Sequence, residues 1–134
     1  ASGIGRATAE LFAREGARLA LIDRTADGVQ AVADAVSAVA FAADIADRKA
    51  VIRCVADAVV AMDGLDGVVN VAGIHRLRLI EDATDEDWDE VLAVNLTGPY
   101  TLIQAALPHL RNSDKPTIVN ISSGTALMPT LNGM

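Results

Sequence analysis

The sequence contains very few aromatic residues and a single cysteine. Phe, Trp and Tyr together make up 3% of the 134 residues, so Ala, Val, Leu and Ile must build the hydrophobic core. Such a composition suits helices layered on a buried parallel sheet. Cys54 cannot form an internal disulfide, and its place among Val51 and Val55 predicts a core side chain rather than a nucleophile.

Basic residues are also scarce. The chain has 11 Lys and Arg against 18 Asp and Glu, a formal charge of −7. Nucleic acids and anionic membranes are bound by clustered Lys and Arg, so we expect neither as a partner. The acidic residues are scattered, and their densest stretch, 81–90, is typical of the solvated start of a helix. No metal site is predicted.

Long apolar segments are absent as well. The sequence shows neither a charged-then-apolar signal segment nor an apolar run long enough to span a bilayer, and we therefore expect a cytoplasmic protein. A length of 134 residues with 51% hydrophobic residues predicts one globular domain and no second one.

Strand-like and helix-like hydrophobic patterns alternate along the chain. Between the strand-like runs, apolar residues recur at i, i+3, i+4 and i+7, which predicts helices with an apolar face, beginning with Ile4, Leu11 and Phe12. This alternation requires crossovers between parallel strands and predicts an α/β fold with a doubly wound parallel sheet. Strands are predicted at residues 18–23, 38–43 (buried), 67–71 and 117–122.

The predicted helices carry recognisable end signals. Gly16 is well placed to end the first helix. Thr84 and Asp87 form a capping-box pattern at the start of a helix that contains Trp88, which we expect to pack in the interior. Pro99 suits the start of a further helix, and Pro108 should kink or shorten its end.

The chain opens on a glycine-rich turn, Ala1-Ser2-Gly3-Ile4-Gly5, that leads into the first helix. The missing side chains of such a turn let a pyrophosphate approach the backbone N–H groups and the positive end of the helix dipole. A purely structural turn between strand and helix would have the same sequence, so this motif alone leaves both interpretations open. Because such a turn normally follows a strand, we expect the first strand to be missing.

Asp23 ends the next predicted strand, eighteen residues after Gly5. A dinucleotide-binding fold places an acid there, on the adenosine ribose hydroxyls. A carboxylate repels a 2′-phosphate, which favours NAD over NADP, although neighbouring Arg24 could partly offset that repulsion. An ordinary turn acid is the alternative.

Three further segments resemble those of the short-chain dehydrogenase/reductase family: Asn70 to Gly73, Asn95 to Gly98, and Ile118 to Ser123. They occur in the family's order, and the resemblance covers essentially the whole chain. It implies a Rossmann fold, hydride transfer between a nicotinamide cofactor and a small alcohol or ketone, and a homo-oligomer when full length.

The sequence departs from the family pattern at both ends. The opening glycine motif is present only from its middle residues, and the Tyr-x-x-x-Lys pair is absent. The resemblance therefore implies that residues 1–134 are a partial NAD(P)-binding Rossmann domain that lacks the first strand and the C-terminal strands and helices. Counting from Ser123, we expect Tyr at position 136 and Lys at position 140.

The resemblance also assigns cofactor contacts, all at the ends of predicted strands. Asp44 would accept a hydrogen bond from the adenine amino group, with a helix-capping role as the alternative. Val71 departs from the family's NNAG turn. The assigned residues are Ser2, Gly3, Ile4, Gly5, Asp23, Arg24, Asp44, Ile45, Asn70, Ala72 and Gly73.

Catalysis is assigned by the same resemblance to Asn95 and Ser123. In the family, the backbone bends at this Asn to hold a water in a proton relay, and the second serine of the pair donates a hydrogen bond to the substrate oxygen. A plain strand end at Ser122 and Ser123, or the reverse order of roles in the pair, is the alternative. A non-catalytic NAD-binding or sensor protein of the same fold is the rival function, because a fold does not dictate its chemistry.

Overall fold

The computed structural model describes residues 1–124, and within them the chain forms an α/β fold with five α-helices and four short strands. A π-helical turn, Ala93–Thr97, connects the fourth helix to the fifth, and a 3-10 turn, Ile80–Asp82, precedes the fourth. Each predicted strand is present, shortened by one to two residues at an end. The elements are α1 (Gly3–Arg14), β1 (Ala20–Asp23), α2 (Ala26–Val36), β2 (Val39–Ala42), α3 (Arg48–Met62), β3 (Gly67–Asn70), α4 (Asp85–Leu92), α5 (Gly98–Leu110) and β4 (Thr117–Asn120).

All strand pairing in the described chain is parallel. β1 pairs with β2, and β3 pairs with β4, each over four residues in register. Helical connections join the two strands of each pair, α2 between β1 and β2 and both α4 and α5 between β3 and β4, as a parallel crossover requires. Across residues 1–124 no hydrogen-bonded ladder joins β1 to β3, so two small sheets occur where the sequence predicts one.

The main hydrophobic core lies between α3, α5 and β3. Val55, Val68, Ala106 and Leu110 form a buried cluster, with the two helices packed against each other over the strand. Of the apolar face predicted for α3, Val51 and Val55 are buried and Val59 packs against the cluster, whereas Ile52 is 43% exposed. Aliphatic side chains alone fill this cluster, in keeping with the scarcity of aromatic residues.

Cys54 belongs to the buried face of α3. Its side chain is buried, and that burial raises the pKa of the thiol. A buried, protonated thiol is a poor nucleophile. The prediction of a core residue is confirmed.

The apolar face predicted for α1 is not buried. Ile4 is 61% exposed and Leu11 45% exposed. The helix begins between the two small sheets, because Ala1 contacts Asp23 at the end of β1 and Gly5 lies against Val71 just after β3. With no ladder joining the sheets in the described residues, this face has no continuous sheet to pack on.

Two other burial predictions are wrong. The strand predicted at 38–43 exists as β2, but Val39 and Ala42 are exposed, because β2 pairs with β1 on one side only. Trp88 is 55% exposed. The buried residue of α4 is its neighbour Asp87, so that Trp88 projects from a different side of the helix.

The predicted helix ends are confirmed. Gly16 follows α1 in the left-handed conformation, with φ of +86°. At α4, the Thr84 hydroxyl accepts a hydrogen bond from the Asp87 N–H at 3.1 Å, and the Asp87 carboxylate accepts one from the Thr84 N–H at 3.4 Å. Pro99 lies in the first turn of α5, which ends two residues after Pro108.

Of the helices in residues 1–124, none is both long enough and apolar enough to cross a lipid bilayer.

Candidate cofactor-binding and active site

The glycine turn leads into an open helix N-terminus. Gly3 adopts a left-handed conformation, with φ of +52°, and no atom lies within 4 Å of the position that a Cβ would take. Ser2 precedes the helix in an extended conformation, and its side chain makes no capping hydrogen bond. The first N–H groups of α1 therefore face space that an anion such as a pyrophosphate could occupy.

Asp23 lies beside this turn, at the end of β1. One carboxylate oxygen lies against the backbone nitrogen of Ala1, and the other accepts a hydrogen bond from the Thr25 N–H at 2.9 Å. Its side chain is 27% exposed. The fold thus brings the predicted ribose-binding carboxylate next to the predicted pyrophosphate turn, and exposed Arg24 follows it directly.

Asp44 and Ile45 follow β2 at the same edge. The Ala43 N–H donates to the Asp23 carbonyl at 3.0 Å, so the two predicted acids leave neighbouring strands side by side. Asp44 is exposed and accepts a hydrogen bond from the Ala46 N–H at 2.8 Å. Its carboxylate therefore shapes the turn after β2 and still reaches solvent.

Ile45 connects this edge to the start of α5. A Cβ placed on Gly98 would lie 2.8 Å from Cγ1 of Ile45 and 2.9 Å from its carbonyl oxygen. Only glycine allows so close an approach without displacing the neighbouring segment. The close packing of Ile45 therefore requires glycine at position 98 of the Asn95 to Gly98 segment.

The Asn70 to Gly73 turn follows β3. The Asn70 side chain is buried, and its amide donates to Oδ1 of Asn120 at 2.8 Å across the β3–β4 pair. Val71 lies against the start of α1, because its Cγ1 is 3.7 Å from the position of a Cβ on Gly5. Ala72 and Gly73 are exposed beyond it. The turn thus reaches α1, while the Asn70 amide faces the sheet interior.

Asn95 lies in the π-helical turn and is bound to the segment after Gly73. Its Oδ1 accepts a hydrogen bond from the Ile74 N–H at 2.8 Å, and its Nδ2 donates to the Ile74 carbonyl at 2.7 Å. A Cβ on Gly73 would lie 3.4 Å from the same Oδ1. π turns inside helices are frequent at functional sites. This turn is a local widening of the backbone where the resemblance expects a bend.

Ser122 and Ser123 leave the sheet at the same edge. The Ile121 N–H donates to the Asn70 carbonyl at 2.9 Å and so extends the β3–β4 ladder by one residue. The two serines come next and are both exposed. The predicted segments that follow β1, β2, β3 and β4 are therefore at the carboxyl ends of parallel strands, where open α/β folds bind ligands.

Sequence reasoning missed an ionic cluster beside this edge. Asp87 is buried and pairs with Arg78 Nε at 2.8 Å and with Arg76 Nε at 3.7 Å, and Arg76 also pairs with Glu90. The partners are nine or more positions apart across an irregular segment, so no short-range pattern indicates them. The one available signal is the alternation of Arg76 and Arg78, which places two cations on one side of an extended segment.

In the part of the chain that the structure describes, no group of three or more His, Cys, Asp or Glu side chains is arranged to hold a metal ion.

Known proteins resemble this chain in sequence. A family model described as short chain dehydrogenase matches residues 1–134. D-threitol dehydrogenase of Mycolicibacterium smegmatis is 40% identical over 132 residues, a region covering 94% of this chain and 50% of that protein. A probable galactose dehydrogenase of Rhizobium meliloti is 36% identical over 91% of this chain and 50% of its own length. The chain spans about half the length of these relatives.

The solved structures agree in fold. A short-chain dehydrogenase/reductase from Brucella melitensis, described as a glucose/ribitol dehydrogenase, has a TM-score of 0.93 and 32% sequence identity. The match covers 98% of this chain and 56% of that one. This similarity confirms the predicted doubly wound Rossmann fold.

Proposed function

Because the chain belongs to the short-chain dehydrogenase family, we propose that it forms the cofactor-binding half of an NAD-dependent oxidoreductase that interconverts an alcohol and a carbonyl compound. The observation that carries this proposal is the meeting of three segments around the start of α1: the turn at Gly3, the carboxylate of Asp23, and the loop after β3 that Asn95 binds. Each supplies a different part of a dinucleotide site.

The residues present suit a nicotinamide dinucleotide, which would accept or give the hydride when bound. The uncapped N–H groups of α1, with Ser2, Gly3, Ile4 and Gly5, would hold the pyrophosphate. Asp44 and Ile45 would border the adenine, and Ala72 and Gly73 would line the adenosine side. Asn70 would support this turn from the strand side, because its amide binds Asn120 on the neighbouring strand.

The preference for NAD rests on Asp23. The Thr25 N–H holds the carboxylate at the end of β1, next to the pyrophosphate turn. A 2′-phosphate placed on the same ribose would meet that negative charge at close range. Arg24 is exposed beside it and would have to turn toward the phosphate to reverse the preference.

In this proposal Asn95 and Ser123 serve the reacting end of the site. Ser123 donates a hydrogen bond to the substrate oxygen, which polarises a carbonyl and holds a hydroxyl in the reverse direction. Asn95 fixes the π turn against Ile74, so that the backbone there can hold a water in a proton relay. The acid/base pair would be Tyr at position 136 and Lys at position 140, whose i, i+4 spacing puts both on one helix face.

We further propose a polyhydroxylated substrate. The two relatives are named for D-threitol and galactose, and the Brucella protein for glucose and ribitol. All four compounds carry hydroxyl groups on neighbouring carbons. A polyol or sugar is therefore the first alcohol to try with this protein.

The test is an assay of the protein expressed with its flanking coding sequence. Reduction of NAD and of NADP would be followed with threitol, ribitol and galactose, and oligomeric state would be measured by light scattering, with a homo-oligomer expected. We expect turnover with a higher kcat/KM for NAD. A higher value for NADP would contradict the cofactor proposal. Calorimetric NAD binding without turnover of any alcohol or ketone would instead support the non-catalytic alternative.

A further inference from the structure

The segment that follows the Asn70 to Gly73 turn has no regular secondary structure of its own. Residues 74–79 form neither helix nor strand. Leu77 is 74% exposed and Leu79 48% exposed, so beyond the partly buried Ile74 apolar packing contributes little to holding this segment on the protein. Its attachment must come from polar contacts.

The first polar attachment is the pair of hydrogen bonds between Ile74 and Asn95. Both the N–H and the carbonyl of Ile74 are bound by the same side-chain amide, at 2.8 and 2.7 Å. The segment is thereby tied to the π turn between α4 and α5.

The second attachment is ionic: Asp87 on α4 faces both arginines of the segment, and Glu90 on the same helix is a further partner of Arg76. The side chains of Arg76 and Arg78 both point to this carboxylate, while the leucines between and after them point away. The Asp87 side chain is 11% exposed, and it also closes the capping box with Thr84. The two guanidinium groups and the Thr84 N–H together supply hydrogen-bond donors to this nearly buried carboxylate.

We propose that Asp87 is a positioning residue, which holds the 74–79 segment on α4 and so keeps Ile74 in place for Asn95. Only one residue separates Ile74 from Arg76, so the two attachments constrain the same short stretch of backbone. Loss of the ionic attachment frees Ile74 to leave the Asn95 amide. The kinetic consequence of this inference rests on the proposed oxidoreductase function, whereas its structural consequence does not.

The test compares Asp87→Asn with Asp89→Asn in the full-length protein. Asparagine keeps the size and the acceptor of the capping box but removes the charge that pairs with Arg78 and faces Arg76, and leaves Arg76 only its pair with Glu90. Asp89 lies on the same helix, is exposed, and has no ion pair within residues 1–124. We expect Asp87→Asn to speed amide hydrogen exchange in residues 74–79 about tenfold or more. Asp89→Asn should leave that exchange unchanged.

Kinetics separate positioning from a general loss of stability. We expect Asp87→Asn to lower kcat roughly tenfold or more, because small displacements in a site are costly. In an Asn95→Ala background the same substitution should have little further effect, since the link it protects is already gone. Asp87→Glu should restore much of kcat, because Glu is the common capping-box residue and keeps the charge.

Arg78→Gln provides a second way to break the cluster, from its exposed side, if Asp87→Asn fails to fold. It should reproduce the faster exchange. Unchanged exchange in residues 74–79 would overturn the inference whether or not the protein is an oxidoreductase. Additive effects of Asp87→Asn and Asn95→Ala on kcat would also overturn it. A protein without any dehydrogenase activity would refute the proposed function and leave the exchange experiment to decide the inference.

Discussion

Asn95 and Ile74 are joined by two hydrogen bonds in opposite directions, one accepted by Oδ1 at 2.8 Å and one donated by Nδ2 at 2.7 Å. Asparagine is the shortest side chain that offers a donor and an acceptor on two separate atoms. The pairing holds the loop after Gly73 and the π turn together, although the residues are 21 positions apart.

Replacing Asn95 with Asp should therefore impair catalysis in the full-length protein. The substituted oxygen would face the Ile74 carbonyl, where the amide now donates, and two acceptors repel each other. We expect kcat to fall about tenfold or more, because one hydrogen bond is lost and a repulsive contact between two acceptors takes its place. Asn112→Asp, the same change at an exposed position after α5, is the control. Equal kcat values for the two variants would contradict the role of the pairing.

Asp23→Ser should change the cofactor preference. Removing the carboxylate removes both the ribose acceptor and the charge that a 2′-phosphate would meet. We expect the ratio of kcat/KM for NAD to that for NADP to fall roughly tenfold or more, or ~1.4 kcal/mol. Asp34→Ser, at an exposed position on α2, should leave the ratio unchanged. A wild-type enzyme that already prefers NADP would show that Arg24 outweighs Asp23.

Ser123→Ala should lower kcat by about two orders of magnitude or more, as loss of a donor aimed at the substrate oxygen does. Cofactor affinity, measured by titration of the protein with NAD, should stay near wild type. Ser122→Ala, one residue earlier and equally exposed, is the matched control and should matter less. Small and equal effects of the two substitutions on kcat would show that Ser122 and Ser123 only end the strand and take no part in catalysis.

Residues 1–134 expressed alone should be poorly stable and inactive. Two unjoined sheets leave strand edges without partners, and the exposed Ile4 and Leu11 of α1 add apolar surface. Such edges and patches favour aggregation over cooperative folding. Circular dichroism should show no sharp thermal transition, whereas the full-length protein should melt cooperatively. A sharp transition together with micromolar affinity for NAD in the 134-residue chain would refute this prediction.

Several features of this protein follow from the sequence alone because they depend on neighbours a few positions away. The spacing of Val51 and Val55 marks the buried face of α3. Gly16 ends α1 because the left-handed conformation there favours glycine, and Thr84 with Asp87 forms a capping box within one turn. The sequence also predicted the family and its parallel α/β fold, because several motifs of that family occur in the expected order over the whole chain.

The sequence could not show which polar groups pair across the fold. Asn70 was predicted at the cofactor, yet its amide binds Asn120, fifty positions away on the neighbouring strand. Asp87 was predicted only as a capping residue, yet it also receives two arginines from the loop after β3.

Burial was decided by the tertiary structure as well. Trp88 and Ile4 fit helical patterns of apolar residues. Such a pattern shows only that a helix has an apolar and a polar face. Whether another element covers the apolar face depends on the whole fold. Near Trp88 the buried side of α4 is occupied by a carboxylate and its arginines. At Ile4 the helix starts between two sheets that no ladder joins in residues 1–124. Local propensity thus determined where the helices and strands lie, and long-range packing determined which of their side chains are covered and which form the site.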